Sequence, residues 1–500
     1  MIMPWWTDHV PATDVSDRFL SAEYYAPQYR ALERKLRQAS RCEALSALAK
    51  KLFQGWSPRG GVKGESGVPA IKTKNLSACS ISYEMDRAEL PDVAVPDRAW
   101  AKHGDIYVLR CAHHPRYIGK DIGRYDRNHP LKPFITEKII VARDMSARAN
   151  DGYVAAFLQT GFGYQQIQRR LGGLTANYTP DDFGCVLVPL PDRRIQDYIG
   201  AKVELAERCR AASMKSWAAA SDLLGRALGA PMAPQTFEVK SAADVSGPGY
   251  QVTSIQPVVA FVSPLRLVGA IGAQFFTPRR AKAILVIEQS GQGAKRLTDL
   301  ADRFTKRVGA EEVQRRSLAY VGLAQIDSAT GFVSTAPDEQ PSSASASFGA
   351  RDILFSKLRP YLNKVAICPE HLEHAAGSTE LVTYRVKPGV DPYYVFFVLK
   401  SPLVLYQVID ITSGSTHPRV DPDLVDDVLV LMVETPAQER IGRLARAALE
   451  LMRRATMLVD QAKGDVEALI EGTLDVDAIL AGKLKAPAAD DIPELTEAQA

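Results

Sequence analysis

The sequence repeats itself, and that constrains its fold more than any other feature. Gln196 matches Gln438, and Ile199–Gly200 match Ile441–Gly442, all 242 residues apart. The same spacing places Tyr164 on Tyr406 and Val186–Leu187–Val188 on Val428–Leu429–Val430. Upstream, spacings of 247 to 252 align GDIYVLR (104–110) with RDILFSK (351–357), and PAIKTKNL (69–76) with AYVGLAQI (319–326). LSALAKKLF (45–53) meets LTDLADRFT (297–305), and SAEYYAP (21–27) meets GAQFFTP (272–278). The order is kept while the spacing drifts by only ten residues. Chance does not keep such an order. The chain is two copies of one unit, at a period far longer than that of solenoid repeats.

Each copy closes with a long helical pattern. In the second, a polar loop leads through an apolar strand at Val428–Val433 to Pro436. From there Ile441, Leu444, Ala448, Leu451, Ala455, Leu458, Ala462, Val466 and Leu469 step by three and four, which is a coiled-coil stripe. The first, over 192–228, places Ile199, Val203, Ala206, Trp217, Ala220, Leu224 and Leu228 on one side, with Gly200 and Gly225 weakening it. A helix of ~30 residues is ~45 Å long, more than a small domain needs for its own core. Each rod therefore calls for a partner rod, and the other copy supplies it.

The expected fold class is α+β, with two pseudo-repeated α/β domains separated by two long antiparallel helices in a coiled coil. The boundaries fall at 1–190 (first domain), 191–232 (first helix), 233–433 (linker and second domain) and 434–474 (second helix). The acidic, apolar-poor tail, 475–500, is expected to be disordered. Residues 229–262 are rich in Pro, Gly and Ser and mark the join, while 337–349 (PDEQPSSASASFG) is expected as a flexible insert. Residues 28–54 carry a helical pattern through Leu32, Leu36, Leu45, Leu48 and Leu52. Short strands are expected near Ala70–Ile71, Ile81–Tyr83, Ile106–Leu109 and Ile139–Val141, a short helix at Tyr153–Gln159, and an exposed loop at His113–Pro133.

A net charge of +3 over 500 residues gives no global attraction to nucleic acid. Locally the balance differs. Residues 101–143 hold nine Lys/Arg against four Asp/Glu, with four histidines, and 30–63 hold nine against two. Six scattered cysteines without a C-x-x-C fit a reduced compartment. MIMPWWTDHV has no signal pattern, and the most apolar span, 255–276, is broken by Pro257, Pro264 and Arg266. A cytoplasmic protein with no membrane contact is expected.

Candidates for catalysis fail on spacing. GFG (161–163) lacks a third glycine, and Gly60, Gly61, Gly64 and Gly67 lack a G-K-[ST]. DPYY (391–394) lacks the second proline of an amino-group methyltransferase motif, and capping by Asp391 before Pro392 explains it. Asp92, Glu137 and Lys138 are too loosely spaced for a nuclease site. Cys368-x-x-His371-x-x-His374, and Cys111 with His113 and His114, lack the second ligand pair of structural zinc. No catalytic residue, metal or cofactor is assigned to this chain.

What remains are basic and aromatic loops at matching places. The first half offers Arg110, His113, His114, Arg116, Tyr117, Lys120, Arg124, Tyr125 and Arg127, and the second Lys357, Arg359, Tyr361, Asn363 and Lys364. A second loop before each long helix adds Asn177 and Tyr178, or Ser415, Thr416, His417 and Arg419. Lys and Arg neutralise phosphates, while Arg, Asn, Ser and Thr read base edges. Either loop alone is an ordinary solvated face. Their recurrence in a duplicated frame points to double-stranded DNA, with two sites about one helical turn apart, ~34–36 Å, spaced by the rods.

Several stretches resemble the DNA specificity subunit of type I restriction-modification systems: RDILFSKLRPYLNKVAI (351–367), GSTHPRVDPDLVDDVLV (414–430), TPAQERIG (435–442) and RFLSAEYYAPQY (18–29). The resemblance spans about 16–474. It implies two target-recognition domains reading a bipartite DNA site, a non-catalytic role, and two methyltransferase subunits docked on the long helices. It also implies a restriction and translocase subunit, with S-adenosylmethionine, ATP and Mg held by the partners. The first half departs from the pattern, since GDIYVLRCAHHPRYIG (104–119) is diverged and LPDRRIQDYIG (190–200) lacks the Gln-Glu pair. Competing readings are a fused methyltransferase or nuclease, a protein scaffold, and the recognition subunit of another modification-based phage-defence system.

Overall fold

Runs of Ile, Val, Leu and Tyr that are apolar on both faces build the centre of each copy, because β-branched and aromatic side chains pack well on a pleated surface. Ile106–Leu109 and Ile353–Ser356 are buried throughout. A computed structural model describes residues 10, 15 and 22–497, apart from 60–63, 65, 91–93, 172–176, 246, 248–249, 256–257, 264–271 and 335–340. Asp92, Pro257, Pro264, Arg266, Gly60 and Gly61 lie outside the described residues. The chain divides into two compact units: 1–211 with 453–496, and 212–452 with 497–500.

The central sheets of the two units have one topology. In unit 1 a four-stranded antiparallel sheet runs Ala49–Gln54, Ile139–Met145, Ile106–Leu109, Gly123–Arg124, with Ile139 opposite Leu109 and Val141 opposite Phe53. Unit 2 repeats the order as Ala301–Phe304, Leu381–Val386, Ile353–Ser356, Val365–Ile367, with Leu354 opposite Thr383. A small pairing beside each sheet also recurs, Cys42–Ala44 with Leu187–Pro189 and Gly293–Arg296 with Leu429–Met432. A helix opened by proline precedes each sheet, Pro27–Ala39 and Pro278–Gln289.

Side chains repeat as well as strands. Asp105 and Arg143 form a bidentate pair in unit 1, and Asp352 and Arg385 do so in unit 2. Asn150 caps one helix through the Tyr153 N–H, and Asp391 caps its counterpart through those of Tyr393 and Tyr394. The Tyr153 hydroxyl donates to the Pro189 carbonyl at 2.8 Å, and Tyr394 to that of Leu431 at 2.5 Å. Gln196 reaches back to the Pro191 carbonyl, as Gln438 does to Val433. Buried polar groups need partners, so these bonds stay in both copies.

The long helices span Arg193–Leu228 and Thr435–Glu471. Residues 193–211 of the first and 453–471 of the second belong to unit 1, and the remainders to unit 2. All nine apolar stripe positions of the second are buried except half-buried Leu444. Within unit 1, Lys202 pairs with Asp465, and Cys209 lies in electrostatic reach of Arg454. Numbers that rise on one helix fall on the other, so the segments there are antiparallel. In unit 2 the Ser213 hydroxyl donates to the Ala448 carbonyl at 2.7 Å. Gly200 and Gly442 fit because the capping side chains of Asn150 and Asp391 press against them.

Three expectations give way. The helical pattern over 28–54 breaks at Ala39 and resumes only for one turn at Leu45–Leu48, and Ala49–Gln54 is a strand paired to Ile139–Met145. Part of 337–349 lies outside the described residues, but Ser345–Phe348 is a strand with Ser345 and Phe348 buried. The tail is described to residue 497 and carries short helices at Val476–Leu480 and Pro493–Glu497. There Asp475 caps the first helix, and Ile479, Ile492 and Leu495 are buried, anchors that its acidic composition conceals. Among the described residues no helix is long and apolar enough to cross a membrane.

Candidate nucleic-acid interface

The two loops nominated in each half meet in the structure, by the same contact. In unit 1 the Tyr178 N–H donates to the Arg110 carbonyl at 2.8 Å, and Cys111 bridges to Asn177. In unit 2 the Val420 N–H donates to the Lys357 carbonyl at 3.0 Å, and Leu358 bridges to Arg419. The donors are 242 residues apart and the acceptors 247, the spacings of the duplication. Each unit thus joins the loop after an inner sheet strand to the loop before the last strand.

In unit 1 the exposed members are His113, His114, Arg116, Tyr117, Lys120, Arg127 and Asn177, with Arg110 half-buried. The His114 imidazole accepts the Arg116 N–H at 3.2 Å and caps a turn at Pro115–Tyr117. The Arg116 guanidinium lies 5.0 Å from the Tyr117 ring centre and donates to its hydroxyl at 3.0 Å, holding that phenol below its ordinary pKa. Arg127 is set against His103.

Three nominated residues of this half turn inward. Arg124 is 1% exposed and bound to Asp126 at 2.8 Å and Asp151 at 2.7 Å. Tyr125 is buried with its hydroxyl on the Leu131 carbonyl, and Tyr178 is buried with its hydroxyl on that of Asp182. A cation with two carboxylates in a desolvated site fastens the domain to itself and has no charge left for a phosphate. The loop 113–133 is correspondingly only part exposed, with Ile118–Gly119 and 122–126 buried.

In unit 2, Tyr361 is exposed, as are Ser415, Thr416 and His417, while Lys357 and Arg359 are half-buried. Arg359 touches the Thr416 carbonyl at 3.4 Å. Asn363 gives its side-chain amide to the Lys400 carbonyl, and Lys364 its ammonium to that of Ile326 at 2.7 Å. Burial lowers the Lys364 pKa, and both residues are scaffolding. Arg419 is exposed but forked on Glu380 at 2.7 Å, which keeps that carboxyl below its ordinary value. The sequence reading missed Leu362, 39% exposed beside Tyr361. Its one signal was an apolar residue in a polar loop between Pro360 and Asn363.

Of the metal candidates, Cys368 is buried with its sulfur 3.7 Å from the Leu372 carbonyl, while His371 and His374 are exposed. Among the described residues no group of three or more His, Cys, Asp or Glu could hold a metal ion.

Fold and loops together describe a duplicated α+β chain that offers a paired polar loop surface once per unit. No family model and no curated protein matches the sequence. Solved structures do. The S subunit of a type I restriction-modification system from M. genitalium is 12% identical, with 87% of this chain and 96% of that chain covered and a TM-score of 0.40. The HsdS subunit from Thermoanaerobacter tengcongensis is 14% identical, over 87% and 97%, with a TM-score of 0.28. A structure titled for the assembly and conformational transition of the type I R-M system is 13% identical, over 87% and 98%, also at 0.28. These neighbours are type I restriction-modification proteins, the family that the sequence resemblance names.

Proposed function

We propose that this chain is the sequence-specific, non-catalytic DNA-recognition subunit of a type I restriction-modification assembly. The observation that carries this reading is the loop pair, built by one hydrogen bond at one place in both units. It offers Arg110, Arg116 and Lys120 in one unit, and Lys357, Arg359 and His417 in the other. Cations of this kind position a protein on phosphates, and neighbouring Asn, Ser and Thr side chains read bases. The halves differ in loop sequence, so each takes its own part of a bipartite, asymmetric site. The long helices, each shared between the units, set the gap and carry two methyltransferase subunits. A restriction and translocase subunit joins for cleavage, and S-adenosylmethionine, ATP and Mg belong to these partners. The complex works in the cytoplasm.

The test is methylome sequencing of cells with and without the gene. The expected result is a split motif, two defined parts with a fixed gap, that disappears with the gene. Methylation that persists unchanged would overturn the reading. Methylation of DNA by the isolated chain with S-adenosylmethionine would favour a fused enzyme instead.

A further inference from the structure

In each unit, the connection that follows the inner strand of the four-stranded sheet carries a three-residue turn opened by proline: Pro115–Tyr117 and Pro360–Leu362. The turns have different sequences, His-Pro-Arg-Tyr against Arg-Pro-Tyr-Leu. Both nonetheless push an aromatic ring into solvent, Tyr117 at 41% exposure and Tyr361 at 54%. Among the described residues only one further aromatic ring, Phe261, is as open. A lone exposed ring needs no explanation. Two on equivalent turns of a diverged duplication do, Tyr117 as the last residue of its turn and Tyr361 as the middle one.

Both turns are held stiffly from below. In unit 1 the Gln168 side-chain amide donates to the Pro115 and Ile118 carbonyls, at 3.0 and 2.7 Å, and the Tyr164 hydroxyl to that of Arg116 at 3.2 Å. In unit 2 the turn is flanked by two non-glycine residues in the left-handed region, Arg359 (φ 49°) and Asn363 (φ 48°). Such backbone persists where its surroundings over-determine it. Here the Arg359 N–H donates to the Pro418 carbonyl at 2.7 Å, and the Lys400 ammonium to that of Asn363 at 2.6 Å. A ring on a clamped turn loses little freedom on contact, which favours binding.

Resting on the recognition reading above, we propose that the two turns are wedges. Tyr117 in one half-site, and Tyr361 with Leu362 in the other, enter a base step and stack on the parted bases. Apolar and aromatic side chains on rigid supports kink duplexes in this way, and stacking tolerates any base because each has a π-face. The neighbouring Arg116, Lys120 and Lys357 hold the flanking phosphates. Specificity at the wedged step then comes from how readily it unstacks, so pyrimidine–purine steps are preferred there.

The experiment selects duplexes from a randomised pool with the full chain, then places 2-aminopurine at each position of the winner. The expected result is a fluorescence rise at one step in each half. Y361A/L362A removes the rise in one half only and weakens binding by roughly ten- to a hundred-fold, and Y117A does the same in the other. Y361F keeps the rise. A mismatch at the wedged step restores most of the binding that Y361A/L362A loses. These side chains are exposed, so the variants leave the cores alone. A selected duplex that shows no rise, or that binds the alanine variants as tightly, overturns the wedge alone. A pool that yields no preferred sequence overturns the recognition reading and the wedge with it.

Discussion

The duplication contains a built-in control for burial. Asp105–Arg143 and Asp352–Arg385 occupy the same place in the two sheets, yet the arginine side chain is 3% exposed in the first and 52% in the second. Arg143 also donates to the Arg98 carbonyl at 2.9 Å and to the Trp100 carbonyl at 2.7 Å. R143M strands a fully buried carboxylate and two carbonyl acceptors, which costs about 3–5 kcal/mol. R385M removes a guanidinium that stands half in water, and the buried Asp352 carboxylate keeps the Gly349 N–H, at about 1 kcal/mol. Two units need not unfold in one step, so the assay is hydrogen exchange of the central strands Ile139–Met145 and Leu381–Val386, each read in its own unit. At tenfold per ~1.4 kcal/mol, R143M should lower protection in the first strand by roughly a hundred- to several thousand-fold. R385M should lower it in the second by about five-fold. Burial already raises the Asp105 pKa above its ordinary value. Without Arg143 the penalty is full above that raised folded pKa and fades as the pH falls toward the unfolded one, where the neutral acid tolerates burial. The gap between the variants should narrow on acidification. Equal losses in the two strands, or a gap indifferent to pH, would refute the account.

G442A forces a methyl group into the Asp391 cap, and G200A into Asn150. Each should lose about 1–3 kcal/mol by calorimetry, and D391G should recover most of the first, because glycine is a tolerable cap. E380Q releases Arg419 from its carboxylate fork, so DNA retention should gain about one further phosphate contact, read as a salt slope steeper by roughly 0.9. The Glu380 carboxyl sits below its ordinary pKa, so in the parent chain this fork holds at neutral pH and opens only as acid titrates it. Burial pushes the Cys79 and Cys368 thiols up to about 12 and that of Cys209 to about 11. A thiol reagent on the native chain should therefore spare these three and mark half-buried Cys111 and Cys185, read by peptide mass spectrometry.

The sequence showed what repeats and what is periodic. Matching spacings located equivalent elements, and steps of three and four located the long helices. It could not show which partner wins when two patterns fit. Leu45, Leu48 and Leu52 continue a helical series, yet pairing with Ile139–Met145 makes a strand of Ala49–Gln54. The loop cations were legible as charge but not as free charge. Nothing near Arg124 announces that Asp151 lies 2.7 Å away, or that Lys364 is drawn to the Ile326 carbonyl. Glu207 went unnoticed for the same reason. It is a buried helix carboxylate that accepts from Ser80 at 2.8 Å and Tyr83 at 2.7 Å, residues more than a hundred positions earlier.

The copies have diverged where side chains meet solvent and agree where they meet one another. The Asp–Arg pair, the capping residue, the buried tyrosine and the loop-to-loop hydrogen bond recur. The loops between them share little beyond a proline and an exposed ring. Two identical chains related by a twofold axis must present the same surface twice. Joining two copies in one polypeptide removes that restriction, since each loop can change while its ends stay pinned to the Arg110 or the Lys357 carbonyl. A frame this constant under tips this different is what asymmetric recognition requires, because altering one contact surface leaves the other, and the bonds that hold both, unchanged.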